Sequence, residues 1–98
     1  MAEIAFDSLV SGKPVAIEVD GVAVCVARIG DEVFAVEDTC THSEASLFEG
    51  EITGTKIECW LHGAEFDLRT GEALTPPATA ALKTFKVEVN GNQVVVTN

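Results

Sequence analysis

Two short segments of this chain gather its metal-ligating side chains. Cys40-Thr41-His42 and Cys59-Trp60-Leu61-His62 hold both histidines and two of the three cysteines, and sixteen residues separate His42 from Cys59. Side chains scattered through a core rarely fall together in this way. Thiolate and imidazole at four positions suit zinc or iron–sulfur chemistry. Familiar zinc fingers place both cysteines in one pair and both histidines in the other, whereas each pair here mixes the two types. Mixing suits a two-iron site in which one iron takes both thiolates and the other both imidazoles. Each loop then supplies a ligand to each iron, and the centre staples the loops together. On residue type alone, zinc remains the chemical alternative.

The elements that must hold those loops read as strands. Polarity alternates with a period of two almost everywhere, and no stretch carries a convincing helical repeat. Pro14–Val19 and Val22–Ile29 are predicted strands joined at Asp20-Gly21, a strong two-residue hairpin signal. Gly30-Asp31 turns the chain into Glu32–Val36, and Lys83–Val89 and Gln93–Thr97 flank the turn Asn90-Gly91-Asn92. The two ends of the chain together form an antiparallel base. Between them the predicted strands are short, Lys56–Cys59 and Ala64–Asp67, and loops dominate, with Gly50, Gly54, Gly63, Gly71 and Pro76-Pro77. The third cysteine, Cys25, lies in Val22-Ala23-Val24-Cys25-Val26-Ala27, a strand apolar on both faces, where a thiol acts as a small hydrophobe.

The bulk properties limit the function classes. Ninety-eight residues make one domain, and an apolar fraction of 47% suffices for a core. No apolar run approaches the ~20 residues of a membrane span, and the start of the chain lacks the basic and apolar regions of a signal peptide. These features predict a cytoplasmic protein. The net charge of −10, from sixteen carboxylates against six Lys and Arg, argues against nucleic acid and anionic membranes as partners and favours a basic protein. No Lys or Arg lies between Arg28 and Lys56, where Asp31, Glu32, Glu37, Asp38, Glu44, Glu49 and Glu51 all fall. This run reads as a solvated acidic face, with docking as its functional alternative.

With these residues assembled, a resemblance emerges. Cys40-Thr41-His42, Leu47 and Gly50, then Cys59-x-x-His62-Gly63, Phe66-Asp67, Thr70-Gly71 and Pro77-Ala78 resemble the Rieske ferredoxins. The closest pattern is that of ferredoxin components of bacterial aromatic ring-hydroxylating dioxygenase systems. The resemblance implies an all-β Rieske fold with an antiparallel, sandwich-like base subdomain, about 1–37 and 83–98, and a small inserted cluster-binding subdomain, about 38–82. It implies one [2Fe–2S] cluster on Cys40, His42, Cys59 and His62, with both histidines near the surface of one tip. It also implies a soluble one-electron carrier between a flavin-dependent NAD(P)H reductase and a terminal oxygenase, a monomer by default. The alternative is the small Rieske-like subunit of a reductase complex such as nitrite reductase. Trp60 then packs against the base or lies at the docking tip, and Pro76-Pro77 stiffen a loop over the cluster.

What the chain lacks sharpens the expectation. No Gly-x-Gly-x-x-Gly loop is present to bind a nicotinamide cofactor. Both histidines are committed, so no two-His-one-carboxylate iron site can be built for oxygen chemistry. The chain therefore reads as a carrier rather than an enzyme. High-potential Rieske proteins, by the same resemblance, carry an extra cysteine in each loop, where Ala45 and Leu61 stand here, and a serine where Ala64 stands. They also have a tyrosine donor, and this chain has no tyrosine. Fewer hydrogen bonds to the centre stabilise its reduced form less. Redox titration should give a midpoint below about 0 mV, toward the low end of the Rieske range; a midpoint well above it would contradict this reading.

Overall fold

The apolar run Val22–Ala27 leaves its strand no polar face to turn to water, so both sides need a cover. The computed structural model describes residues 2–39, 46–59, 64–74 and 81–97. Its strands are β1 (Ala2–Ala5), β2 (Pro14–Val19), β3 (Val22–Ile29), β4 (Glu32–Glu37), β5 (Glu51–Thr53), β6 (Lys56–Glu58), β7 (Glu65–Asp67), β8 (Lys86–Asn90) and β9 (Gln93–Thr97). They form three antiparallel sheets ordered β1-β9-β8, β2-β3-β4 and β5-β6-β7. Among the described residues the helical structure is two three-residue 3₁₀ turns, Phe6–Ser8 and Leu47–Glu49. The fold is all-β, as expected.

Turn chemistry fixes much of the register. Val19 faces Val22 across Asp20 (φ 51°) and Gly21 (φ 80°). Two left-handed residues in a two-residue loop match the twist of the flanking strands. The bounds expected for Pro14–Val19, Val22–Ile29 and Gln93–Thr97 coincide with β2, β3 and β9. The strand expected from Lys83 instead begins at Lys86, because the preceding residues bond to β4. Thr84 bridges Val36, the Glu37 amide donates to the Lys83 carbonyl at 2.9 Å, and the Phe85 amide donates to the Ala35 carbonyl at 2.9 Å. These contacts join the first two sheets along the free edge of β4. Unanticipated in the sequence were β1, β5 and both 3₁₀ turns.

The sheet β2-β3-β4 is the wall between two cores. Val24 and Val26 of β3, with Val33 and Ala35 of β4, pack with Leu9, Val19, Phe85, Val94 and Val96. Cys25, Ala27 and Val36 point the other way and pack with Leu47, Ile57, Cys59, Ala64, Phe66, Leu68 and Leu82. Val24, Cys25, Val26 and Ala27 are all fully buried. The period of two thus assigns alternate residues of one strand to different cores.

The third sheet lies on the second core. Its inner row is Ile52, Ile57 and Phe66, which face one another across β5, β6 and β7. The segment after β7 folds back: the Leu68 amide donates to the Thr55 carbonyl at 2.8 Å, and the Gly71 amide to the Asp67 carbonyl at 2.7 Å. Gly71 (φ 77°) is the turn glycine expected, and a Cβ there would also strike the Leu82 carbonyl oxygen. Arg69 reaches back to β4 and grips Glu32 with two bonds of 2.9 and 3.0 Å. Both side chains are half exposed, so this pair contributes at most about 1 kcal/mol. Apolar packing carries the attachment. Phe66→Ala should accordingly cost about 3–5 kcal/mol in denaturant unfolding.

Candidate metal centre

Three internal segments lie outside the described residues: 40–45, 60–63 and 75–80. Cys40, His42 and His62 therefore lie outside the described residues, as do Trp60, Gly63 and Pro76-Pro77. What the structure shows is how each segment is rooted. The first is bounded by an antiparallel bridge between Thr39 and Ser46 and by the Leu47 amide donating to the Asp38 carbonyl at 2.6 Å. The second is bounded by Cys59, whose amide donates to the Ala64 carbonyl at 2.7 Å. At the third, the Leu74 amide donates to the Glu65 carbonyl at 2.8 Å, and the Leu82 amide to the Gly71 carbonyl at 2.7 Å.

Cys59 is the ligand candidate among the described residues. It follows β6 directly, is fully buried, and shares its core with Leu47 and Ala64, which stand at the roots of both ligand loops. A buried thiol at the neck of a loop carrying His62, beside the root of a loop carrying Cys40 and His42, suits a centre with two thiolates and two imidazoles. The buried, apolar surround also excludes water from the donor side, which tunes an iron–sulfur centre.

Sequence comparison bears on what that centre is. A family model described as "Rieske [2Fe-2S] domain" matches residues 2–86. The chain belongs to this family. It is 47% identical over 73 residues to the ferredoxin CarAc of Metapseudomonas resinovorans, covering 74% of this chain and 68% of that protein. The structure superposes on the ferredoxin of carbazole 1,9a-dioxygenase from Nocardioides aromaticivorans IC177 with a TM-score of 0.94 and 38% identity, covering 96% of this chain and 92% of that one. It also matches a chain in a complex of reduced oxygenase and oxidised ferredoxin in carbazole 1,9a-dioxygenase, with a TM-score of 0.90, 39% identity, and 95% and 96% coverage. A Rieske [2Fe–2S] cluster is the family's cofactor.

Two features of this Rieske domain escaped the sequence reading. Glu37 and Asp38 belong to the acidic run of the sequence, but Asp38 is buried and Glu37 is half-buried. The Glu37 Oε1 accepts the Lys83 amide at 2.9 Å, and the Asp38 Oδ1 accepts the Phe48 amide at 3.0 Å. The available signal was register, because Asp38 falls two residues beyond the inward-facing Val36. The second feature is Gly50. A Cβ there would collide with the Glu58 carbonyl oxygen, so the backbone just past the first loop lies directly against the residue before Cys59.

The acidic surface is better defined on the third sheet. Glu51 faces Glu58, and Glu58 faces Glu65, so three carboxylates form one row across β5, β6 and β7. The row lies on the outer face, at the end of β6 that leads into Cys59. Lys56 approaches Glu65 at 3.9 Å.

Cys25 belongs to the core, as expected. Burial, reinforced by the negative charge of Asp38, pushes its thiol up from 9.0 to about 12. The folded state therefore holds the Cys25 proton more tightly than the unfolded chain does. That contribution to stability is complete below pH 9 and is lost as pH rises toward 12. A thiol reagent applied to the native protein at about pH 8 should leave Cys25 unmodified and label it only on unfolding.

Proposed function

We propose that this chain is a one-electron carrier whose [2Fe–2S] cluster is held by Cys40, His42, Cys59 and His62. It would pass electrons from a flavin-dependent NAD(P)H reductase to a terminal aromatic-ring dioxygenase. The observation that carries the reading is its near full-length likeness to a ferredoxin captured with its oxygenase. The likeness to ferredoxins of dioxygenase systems favours this reading over the small subunit of a nitrite reductase. When bound, the cluster supplies a reversible one-electron couple, formally neutral when oxidised and −1 when reduced with two thiolate ligands.

The chain's own residues supply the setting. Leu47, Ile57, Ala64, Phe66 and Leu68 wall the Cys59 side with apolar groups. The division into a base of about 1–37 and 83–98 and a cluster-binding part of about 38–82 is supported by the third sheet, which falls wholly inside the second range. Like charges directly opposed across strands are unfavourable by roughly 0.2–1 kcal/mol each, and the Glu51–Glu58–Glu65 row retains two such pairs. A row of that sign beside Cys59 suits steering toward a basic partner face and a transient, salt-sensitive complex. Among the described residues no helix is long and apolar enough to cross a membrane; a soluble, cytoplasmic monomer is part of this proposal.

Two measurements test it. The purified protein should be brown, carry two irons and two sulfides per chain, and give the anisotropic EPR signal of a reduced Rieske centre; a colourless zinc protein would refute the assignment. Electron transfer to the oxygenase should slow severalfold between about 0.01 and 0.1 M salt, as the screening length contracts from roughly 30 to 10 Å. A rate indifferent to salt would remove electrostatic docking from the account.

A further inference from the structure

Asp38 is the charged side chain buried in the core of the described residues, only 3% exposed. A carboxylate is costly to bury without partners, so its bonds indicate its use. Its amide donates to the Ala23 carbonyl on β3 at 3.0 Å, and its own carbonyl accepts the Leu47 amide at 2.6 Å. Its Oδ1 accepts the Phe48 amide at 3.0 Å. The 3₁₀ turn Leu47–Glu49 begins without a side-chain cap from Ser46. An uncapped first turn leaves backbone amides needing acceptors, and Asp38 provides both a carbonyl and a charged oxygen from ten residues upstream.

The other end of the same short segment meets the second ligand loop. Gly50 closes the turn with its amide on the Leu47 carbonyl at 2.9 Å, and its backbone presses on Glu58, immediately before Cys59. Between the two ends, the Leu47 side chain is fully buried in the core that holds Cys59. Residues 46–50 therefore form a bracket. One arm is bonded to the residue two places before Cys40, and the other is seated on the residue one place before Cys59.

We propose that Asp38 is a positioning residue for the cluster: by fastening this bracket it sets the spacing of the two ligand loops before the metal arrives. The proposal rests on the ligand assignment given above. A centre that shares its ligands between two loops needs both roots fixed, since small errors in placement are felt at the metal. The Asp38 side chain acts through the Phe48 amide. An acceptor at its position is therefore what matters. Asparagine keeps that acceptor and alanine does not.

The test uses the cluster-loaded protein and two readouts, iron release to a chelator and hydrogen exchange at the Phe48 amide, which the Asp38 side chain accepts. Asp38→Ala should accelerate both by about tenfold, the effect of losing a charge-assisted bond at a part-buried amide. Asp38→Asn should recover most of the loss. Gly50→Ala, which pushes the bracket off Glu58, should accelerate iron release while circular dichroism still reports the strands. Wild-type iron retention in Asp38→Ala would overturn the proposal, as would an asparagine variant no better than alanine. If Asp38→Ala does not fold, the unmodified protein decides: Leu47 and Phe48 should be protected as well as the β3 amides, and free exchange there with iron retained overturns the proposal. Unmodified protein that takes up no iron would instead refute the ligand assignment itself.

Discussion

Burial of β3 on both faces is the constraint from which the rest of the structure follows. A strand whose successive side chains are Val24, Cys25, Val26 and Ala27, all fully buried, needs a cover on each side. The terminal strands β1, β8 and β9 provide one cover and the small sheet β5-β6-β7 the other. Fully burying a valine side chain is worth about 1.5–3 kcal/mol. Exposing either face of this strand would therefore cost a large fraction of the 5–15 kcal/mol that holds an ordinary domain together. The third sheet, with strands of three residues, could not support itself in water. It persists because β3 and β4 give it a surface to cover.

That arrangement suits an electron carrier. The side of the molecule that carries Cys59 is made of short strands and tight backbone bonds. A redox site performs well when its surroundings change little between oxidation states, because dipoles already in place need no reorganisation. The bonds from Leu47 to Asp38, from Cys59 to Ala64 and from Leu82 to Gly71 supply this rigidity at the loop roots. The carboxylate row of β5, β6 and β7 occupies the outer face of the same sheet, so the apolar support and the charged exterior are two sides of three short strands.

The large elements were legible in the sequence. Period-two patterning and the Asp20-Gly21 turn located β2 and β3, and the mixed Cys/His pairs with the Phe66-Asp67 and Thr70-Gly71 continuation pointed to the family. The features that escaped are those whose meaning depends on distant chain. Asp38 looks like any surface carboxylate until Phe48 is placed against it. Gly50 resembles a flexible loop glycine until Glu58 lies on its Cβ direction. The segment around Thr84 has the alternation of a strand continuing into β8, yet it is spent on bonds to β4. Local propensity sees neighbours in sequence, and each of these residues is defined by a neighbour in space.

The seam between Lys83, Thr84, Phe85 and β4 also orders events during biosynthesis. Leu82 belongs to the core beside Cys59, and Phe85, Val94 and Val96 belong to the other. Neither core is complete until the last segment of the chain has emerged from the ribosome and zipped onto β4. Both cysteine–histidine pairs are synthesised well before that segment. In the nascent chain Cys59 therefore emerges without the burial it has in the folded protein.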